Sequence, residues 1–231
     1  MVVLWKAANR MTTTSGEEVI DSKRLSVVLA TENQGKVREL QALLGPDVQV
    51  QDLTAAGISL PEEVGATFAE NALAKAIFAS ERTGLPALAD DSGLEVQALD
   101  GLPGVRTARY AGEDATDADN RQKLLGVLKD VAVEDRGARF VSVIAVVVPG
   151  EEPQTFDGYC QGTIGFAERG TGGFGYDSIF VLADGRTMAE LTPEAKNAIS
   201  HRGAAMRQAV PALLERLKAT TAAGDSRSEV G

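Results

Sequence analysis

The chain is poor in several residue types, and each scarcity closes off a class of function. There is one cysteine in 231 residues, Cys160, so neither an intrachain disulfide nor a cysteine-built metal cluster can form. There is one histidine, His201, which excludes a multi-histidine metal site. Positive charge is scarce: 23 Lys and Arg against 33 Asp and Glu leave a net charge of −10. Such a chain lacks the overall pull that a phosphate backbone needs, so polymeric nucleic acid is not an expected partner. A small phosphorylated ligand stays open, because local lysines or a metal ion can outvote the net charge. No apolar run approaches the ~18 residues of a membrane span, and no internal repeat is visible. A cytoplasmic protein with no membrane partner is the expectation.

The 44% of hydrophobic and 24% of charged residues balance a core against a solvated surface. The length suits one large domain or two small ones. Residues 1–24 are polar and without the apolar core of a signal peptide, so they are expected as a disordered leader, with Met11 as an alternative start. Residues 219–231 are expected as a disordered tail, which leaves 25–218 as one ordered domain. Helical and strand patterns mix throughout. The fold class is α/β (mixed α+β), a central twisted mixed sheet flanked by helices.

Glycine is dense in one stretch, Gly162 to Tyr176 and then Asp177, with glycines at 162, 165, 170, 172, 173 and 175. Glycine supplies positive φ and lets backbone approach a ligand directly. Phe174 and Tyr176 alternate with glycine here and lead to a carboxylate. A ring, open amides and an acceptor suit a heterocyclic base. The other reading is a glycine-rich hairpin with Phe174 in the core.

The ordered chain begins with the buried-strand pattern Leu25-Ser-Val-Val-Leu-Ala. Thr31-Glu-Asn-Gln-Gly-Lys36 follows, before a helix carrying Val37, Leu40, Leu43 and Leu44 and stopped at Gly45-Pro46. Free amides at a helix start, with Lys36, favour phosphate. The loop is too short for the Gly-x-x-x-x-Gly-Lys-Ser/Thr pattern, and a plain strand–helix turn reads equally well.

Thr67-Phe-Ala-Glu70 is a capping box for a helix to about Arg82. Glu62 and Glu63 precede it. Asn71 and Lys75 share a face and can point together into a cleft. The apolar run from Leu85 ends on Asp90-Asp91-Ser92-Gly93, read as carboxylates at a strand end before a turn, with Leu94-Glu-Val as a further strand. Carboxylates so placed can hold Mg²⁺ or activate water. Neighbours alternate across a strand, so Asp90 and Asp91 are expected to face opposite ways, one serving the fold and one the chemistry.

Thr116-Asp-Ala-Asp119 caps a helix carrying Leu124, Leu125 and Leu128. Ala138–Val148 is a strand buried on both faces, and 154–160 is its return strand. Ser178–Leu182 is a last strand. Thr192 and Pro193 start a short helix. Ser200 caps a second, to about Lys218, with a kink or break at Pro211. Lys196, His201 and Arg202 form a local cationic group.

Together these pieces resemble the Ham1/RdgB family of inosine/xanthosine triphosphate pyrophosphatases. The resemblance spans roughly residues 25–218. It rests on Ala30–Lys36, Glu63-Val-Gly-Ala-Thr-Phe-Ala-Glu-Asn-Ala, Ala89–Gly93, Gly170–Asp177, Lys196 and Ser200–Gly203, in the family's order. It implies an elongated two-lobed Ham1/ITPase-like fold with the site in a cleft, often a homodimer. The implied reaction hydrolyses ITP, dITP or XTP to the monophosphate and pyrophosphate with Mg²⁺. By position, Asp91 resembles the catalytic acid and metal ligand, and Glu63 the metal-binding carboxylate. Thr31, Glu32, Asn33, Gln34, Gly35 and the catalytic Lys36 fall on the phosphate loop. Ser92, Phe174, Gly175, Tyr176, Asp177, Lys196, His201 and Arg202 fall on substrate contacts. Glu32, Val64 and Ser178 depart from common family residues without removing a catalytic group. Two competing readings are a Maf-like pyrophosphatase of modified pyrimidine nucleotides and a nucleotide-binding sensor without turnover.

Overall fold

The computed structural model describes residues 10–12, 18–20, 25–31, 37, 40, 41, 44–53 and 57–228. Two short strands near the start, β1 (Arg10–Thr12) and β2 (Glu18–Ile20), pair antiparallel. The body is a seven-stranded mixed sheet. Its first strands are β3 (Leu25–Leu29), β4 (Val48–Asp52) and β5 (Ala87–Val96). After them come β6 (Pro103–Gly104), β7 (Gly137–Val147), β8 (Gln154–Ile164) and β9 (Phe180–Val181). The order is β4-β3-β5-β7-β8-β9, with β6 on β5. The β4-β3-β5 side is parallel and the β5-β7-β8-β9 side antiparallel.

Between β3 and β4, Val37, Leu40, Gln41 and Leu44 are helical, and Leu40 and Leu44 are buried. Helix α1 (Phe68–Thr83) opens on the expected capping box, in which Thr67 accepts from the Glu70 amide at 3.2 Å, and stops where Gly84 turns left-handed. Helix α2 is Asp117–Val127, capped by Thr116. Helices α3 (Pro193–Ile199) and α4 (His201–Ser228) end the chain. No helix among the described residues is long and apolar enough to cross a membrane.

The core falls into three clusters. One face of the sheet, through Val27, Leu29, Leu88 and Ile144, packs on Met206, Ala209 and Leu213 of α4. The other, through Val28, Ala89 and Val143, packs on Phe68, Ala72, Ala76 and Ala79 of α1. A third cluster joins Leu94, Phe140, Cys160, Tyr176 and Phe180 with Leu124 of α2. The far ends of β5, β7 and β8 thus run out of a helix-sandwiched lobe into a second one, as the two-lobed fold requires.

Three local expectations are corrected. Asp90-Asp91-Ser92-Gly93 is neither a strand end nor a turn: β5 runs straight through it, each residue paired with β7 from Ile144 to Val141. Gly93 is there for space, since a Cβ would lie 2.6 Å from the Gly104 carbonyl and 2.7 Å from the Phe68 ring. Helix α4 neither stops near Lys218 nor breaks at Pro211; that proline is exposed, where water can meet the carbonyl left without a donor. The last strand shrinks to Phe180–Val181.

Candidate active site

Alternation along β5 decides the site. Asp91 shares a face with Ala87 and Ala89 and looks toward α1. Asp90 shares a face with Leu88 and looks toward α4. Both carboxylates are buried, and they keep different company.

On the α1 side, Lys75 Nζ donates to Glu63 Oε1 at 2.6 Å, to Asp91 Oδ1 at 2.9 Å and to the Asp90 carbonyl at 3.0 Å. Asn71 Nδ2 donates to Asp91 Oδ2 at 3.3 Å, while Asn71 Oδ1 accepts from the Gly65 amide at 2.8 Å. The i, i+4 pair read from the sequence therefore grips one carboxylate. Gly65 must be glycine, because a Cβ would stand 2.5 Å from Asn71 Oδ1. Arg109 Nη2 donates to the Glu63 carbonyl at 3.2 Å and fixes the segment from the other side.

Electrostatics splits the two acids. Burial pushes the Asp91 carboxyl up to about 6, against the pull of Lys75 and with a further push from Glu63. Burial also opposes the Glu63 charge, but Lys75 outweighs it and holds that carboxyl below its usual range. Burial works against the Lys75 ammonium too, and the adjoining carboxylates keep it charged. Two acids held apart in proton affinity around one cation can divide acid–base roles.

On the α4 side, Asp90 Oδ1 accepts from the Ser92 hydroxyl and from Ser142 Oγ at 2.7 Å, and Asp90 Oδ2 accepts from Arg202 Nε at 3.0 Å. This carboxylate ties β5, β7 and α4 together. Ser142 went unread in the sequence, although a hydroxyl inside the apolar run of β7 was the available signal.

Ser92 and Gly93, just beyond Asp91, wall a cavity of about 510 Å³. Phe174 lies on its rim, 61% exposed. The glycine stretch does join the antiparallel neighbours β8 and β9, but its phenylalanine is not core: Gly162 belongs to β8, and the remainder is a wide loop before β9. Gly173 has φ +76°, and a Cβ there would sit 2.0 Å from Asp177 Oδ2, the atom that accepts from the Phe174 amide at 2.8 Å. Tyr176 lines the cavity but is buried, its hydroxyl donating to the Thr107 carbonyl at 2.9 Å. Lys196 pairs with Asp177 and stands 4.6 Å over the Phe174 ring. His201 stacks on Phe140 at 4.9 Å. Lys196, His201 and Arg202 all line the cavity, but not as one cationic group: Lys196 and Arg202 are each committed to an aspartate.

Thr31 is buried at the end of β3. Glu32, Asn33, Gln34, Gly35 and Lys36 lie outside the described residues. Among the described residues, no three His, Cys, Asp or Glu side chains are grouped to hold a metal ion; the carboxylate pair Glu63 and Asp91 is what stands available. The sequence reading also missed Arg121 and Glu168 and saw Asp117 only in a cap. Asp117 and Arg121 of α2 meet the loop from behind, and Glu168, on the loop itself, pairs with Arg121.

A mixed sheet with one buried and one partly exposed acid on one cation, beside a cavity rimmed by a ring, defines a protein with room for a small ligand next to a charged cluster. The chain belongs to the Ham1 family, whose model matches residues 27–212. It is 53% identical to the dITP/XTP pyrophosphatase of Shigella flexneri over 193 residues, 81% of this chain and 97% of that protein. It is 52% identical to the dITP/XTP pyrophosphatase of Symbiobacterium thermophilum over 202 residues, 85% of this chain and 99% of that one. The solved structure of a HAM1 protein from Coxiella burnetii superimposes with a TM-score of 0.78 at 46% identity, covering 83% of this chain and 99% of that one.

Proposed function

We propose that the protein hydrolyses triphosphates of deaminated purines (ITP, dITP and XTP) to the monophosphate and pyrophosphate, with Mg²⁺ as cofactor. One observation carries the reading: Glu63 and Asp91 converge on Lys75 of α1, and the residues after Asp91 on β5 wall the ring-rimmed cavity. The activity for which the relatives are named, at about half identity over nearly their whole length, supports it.

The residues present fit Mg²⁺. Both acids offer hard oxygens to a point that already attracts a cation, the Lys75 ammonium. Mg²⁺ commonly takes one or two carboxylates plus substrate phosphates, so two acids suffice. Glu63 and Asp91 would hold it, and when bound it would neutralise and orient the triphosphate. Lys75 and Asn71 keep the Asp91 carboxylate aimed. Water attacks the α-phosphorus, and the bond to the oxygen bridging to the β-phosphate breaks. Pyrophosphate leaves with that electron pair, and the water's proton passes to Asp91.

Thr31, Glu32, Asn33, Gln34, Gly35 and Lys36 are assigned to the phosphates. Ser92, Phe174, Gly175, Tyr176, Asp177, Lys196, His201 and Arg202 are assigned to base and sugar, with Phe174 stacking on the purine. A 6-oxo group accepts where a 6-amino group donates. Donors from His201 or Arg202 therefore leave adenine poorly paired, a mismatch worth on the order of 10⁴ in discrimination in favourable sites. A cytoplasmic homodimer belongs to the same reading, supported by the family membership; light scattering tests the pairing.

The test is pyrophosphate release with Mg²⁺ from dITP and XTP against dATP, dGTP and dTTP. A large preference for dITP and XTP, lost in EDTA, is expected. Equal turnover of all five would keep the chemistry and remove the base-selective pocket. Binding without turnover would make the protein a sensor.

A further inference from the structure

The loop that carries Phe174 is tied on its far side, the Phe174 amide donating to Asp177 Oδ2 at 2.8 Å and the Gly172 amide to the Ala189 carbonyl at 3.0 Å. Gly170, Gly173 and Gly175 all have positive φ, and between the loop and α2 lies a cavity of about 160 Å³. That cavity is lined by Arg121 of α2 and by loop residues between Glu168 and Ser178. Across it, α2 grips both polar backbone groups of the residue next to Phe174. Asp117 Oδ2 accepts from the Gly175 amide at 2.7 Å, and Arg121 Nη1 donates to the Gly175 carbonyl at 2.8 Å. Arg121 is seated in turn by Glu168, with Nε to Oε2 at 2.9 Å, and Ser178 Oγ adds 3.0 Å to the same oxygen. The Arg121 hydrogen bond holds the Glu168 carboxyl below its usual range, the mark of a formed pair. Asp117 and Arg121 are four residues apart, so one helical turn of α2 presents both.

We propose that Asp117 and Arg121, the latter seated by Glu168, are positioning residues that hold Phe174 at the height where it stacks on the base. The inference rests on the assignment of Phe174 to the base in the proposed function. The clamp acts through the ring and touches no reacting atom. Its loss therefore weakens nucleotide binding and leaves the chemical step alone.

The experiment is steady-state hydrolysis of dITP by the full chain with Mg²⁺, for Arg121→Ala, Phe174→Ala and the double variant, with melting temperatures alongside. Arg121→Ala is expected to raise KM about tenfold, the scale of one lost charge-assisted hydrogen bond, and to leave kcat within about twofold. The double variant is expected to be no worse than Phe174→Ala alone, because the clamp has no other outlet. Glu168→Gln, a milder change at a half-exposed residue, is expected to raise KM less and in the same direction, and it stands as the test if Arg121→Ala does not fold. An unchanged KM in a folded Arg121→Ala or Glu168→Gln, beside a raised KM in Phe174→Ala, overturns the clamp alone. Effects of Arg121→Ala and Phe174→Ala that multiply also overturn it, as a merely structural role would give. A wild-type KM in Phe174→Ala overturns the base-stacking assignment and the clamp with it.

Discussion

Asp91 is a carboxylate kept from water by burial and kept from neutrality only in part by one lysine. Asp91→Asn should cut dITP turnover by about 10²–10⁴-fold while nucleotide binding persists, which initial rates and equilibrium titration together check. The raised pKa also has a stability sign. Between the ordinary value of 3.8 and about 6, the metal-free folded chain holds a proton that the unfolded chain has released. This group's contribution to stability therefore falls as pH rises through that window and levels off on either side. Denaturant titrations in EDTA from pH 4 to 7 should show the slope, and Asp91→Asn should flatten it. Lys75→Met leaves two acids facing each other across a buried gap. It should cost about 3–5 kcal/mol in EDTA, and Mg²⁺ should restore part of the loss, measured as a shift in melting temperature.

At the scale of elements, α4 matters because its first turn delivers His201 and Arg202 to the cavity. That turn lies close against β8: a Cβ on Gly158 would stand 2.0 Å from the His201 carbonyl and 2.5 Å from the Ala205 amide. Gly158→Ala must push the helix start away. A loss of about 1–3 kcal/mol of stability and a raised KM for dITP are expected from thermal melts and kinetics. Much of this layer was legible beforehand. The caps at Thr67, Thr116 and Thr192 and the doubly buried β7 follow from local chemistry, which sequence spells out. The opposite facing of Asp90 and Asp91 follows from strand alternation. The straight passage of β5 through Asp-Asp-Ser-Gly did not show, because long-range pairing with β7 overrides turn propensity. Ser142, Arg121 and Glu168 did not show either: what each does depends on a partner 52, 54 or 47 residues away. The expectation that Phe174 meets the substrate came from glycine density and family resemblance, since an isolated phenylalanine reads as core.

For the whole molecule, the two lobes share their strands. β5 gives Leu88 to the helix-sandwiched lobe and Leu94 to the other, and β7 gives Ile144 and Phe140 in the same way. Neither lobe can lose its core while the other keeps these strands paired. Calorimetry should therefore show one transition, with calorimetric and van't Hoff enthalpies equal. The shared strand also restricts how the sequence can change. The two aspartates are told apart only by the parity of their positions along β5. One residue inserted or deleted within the strand ahead of Asp90 would turn Asp90, which ties α4, toward Lys75 and Asp91 toward Arg202. A length change there keeps each acid on its own side only if it comes by twos, so in this stretch the count of residues, and not only their identity, fixes which partners each acid meets.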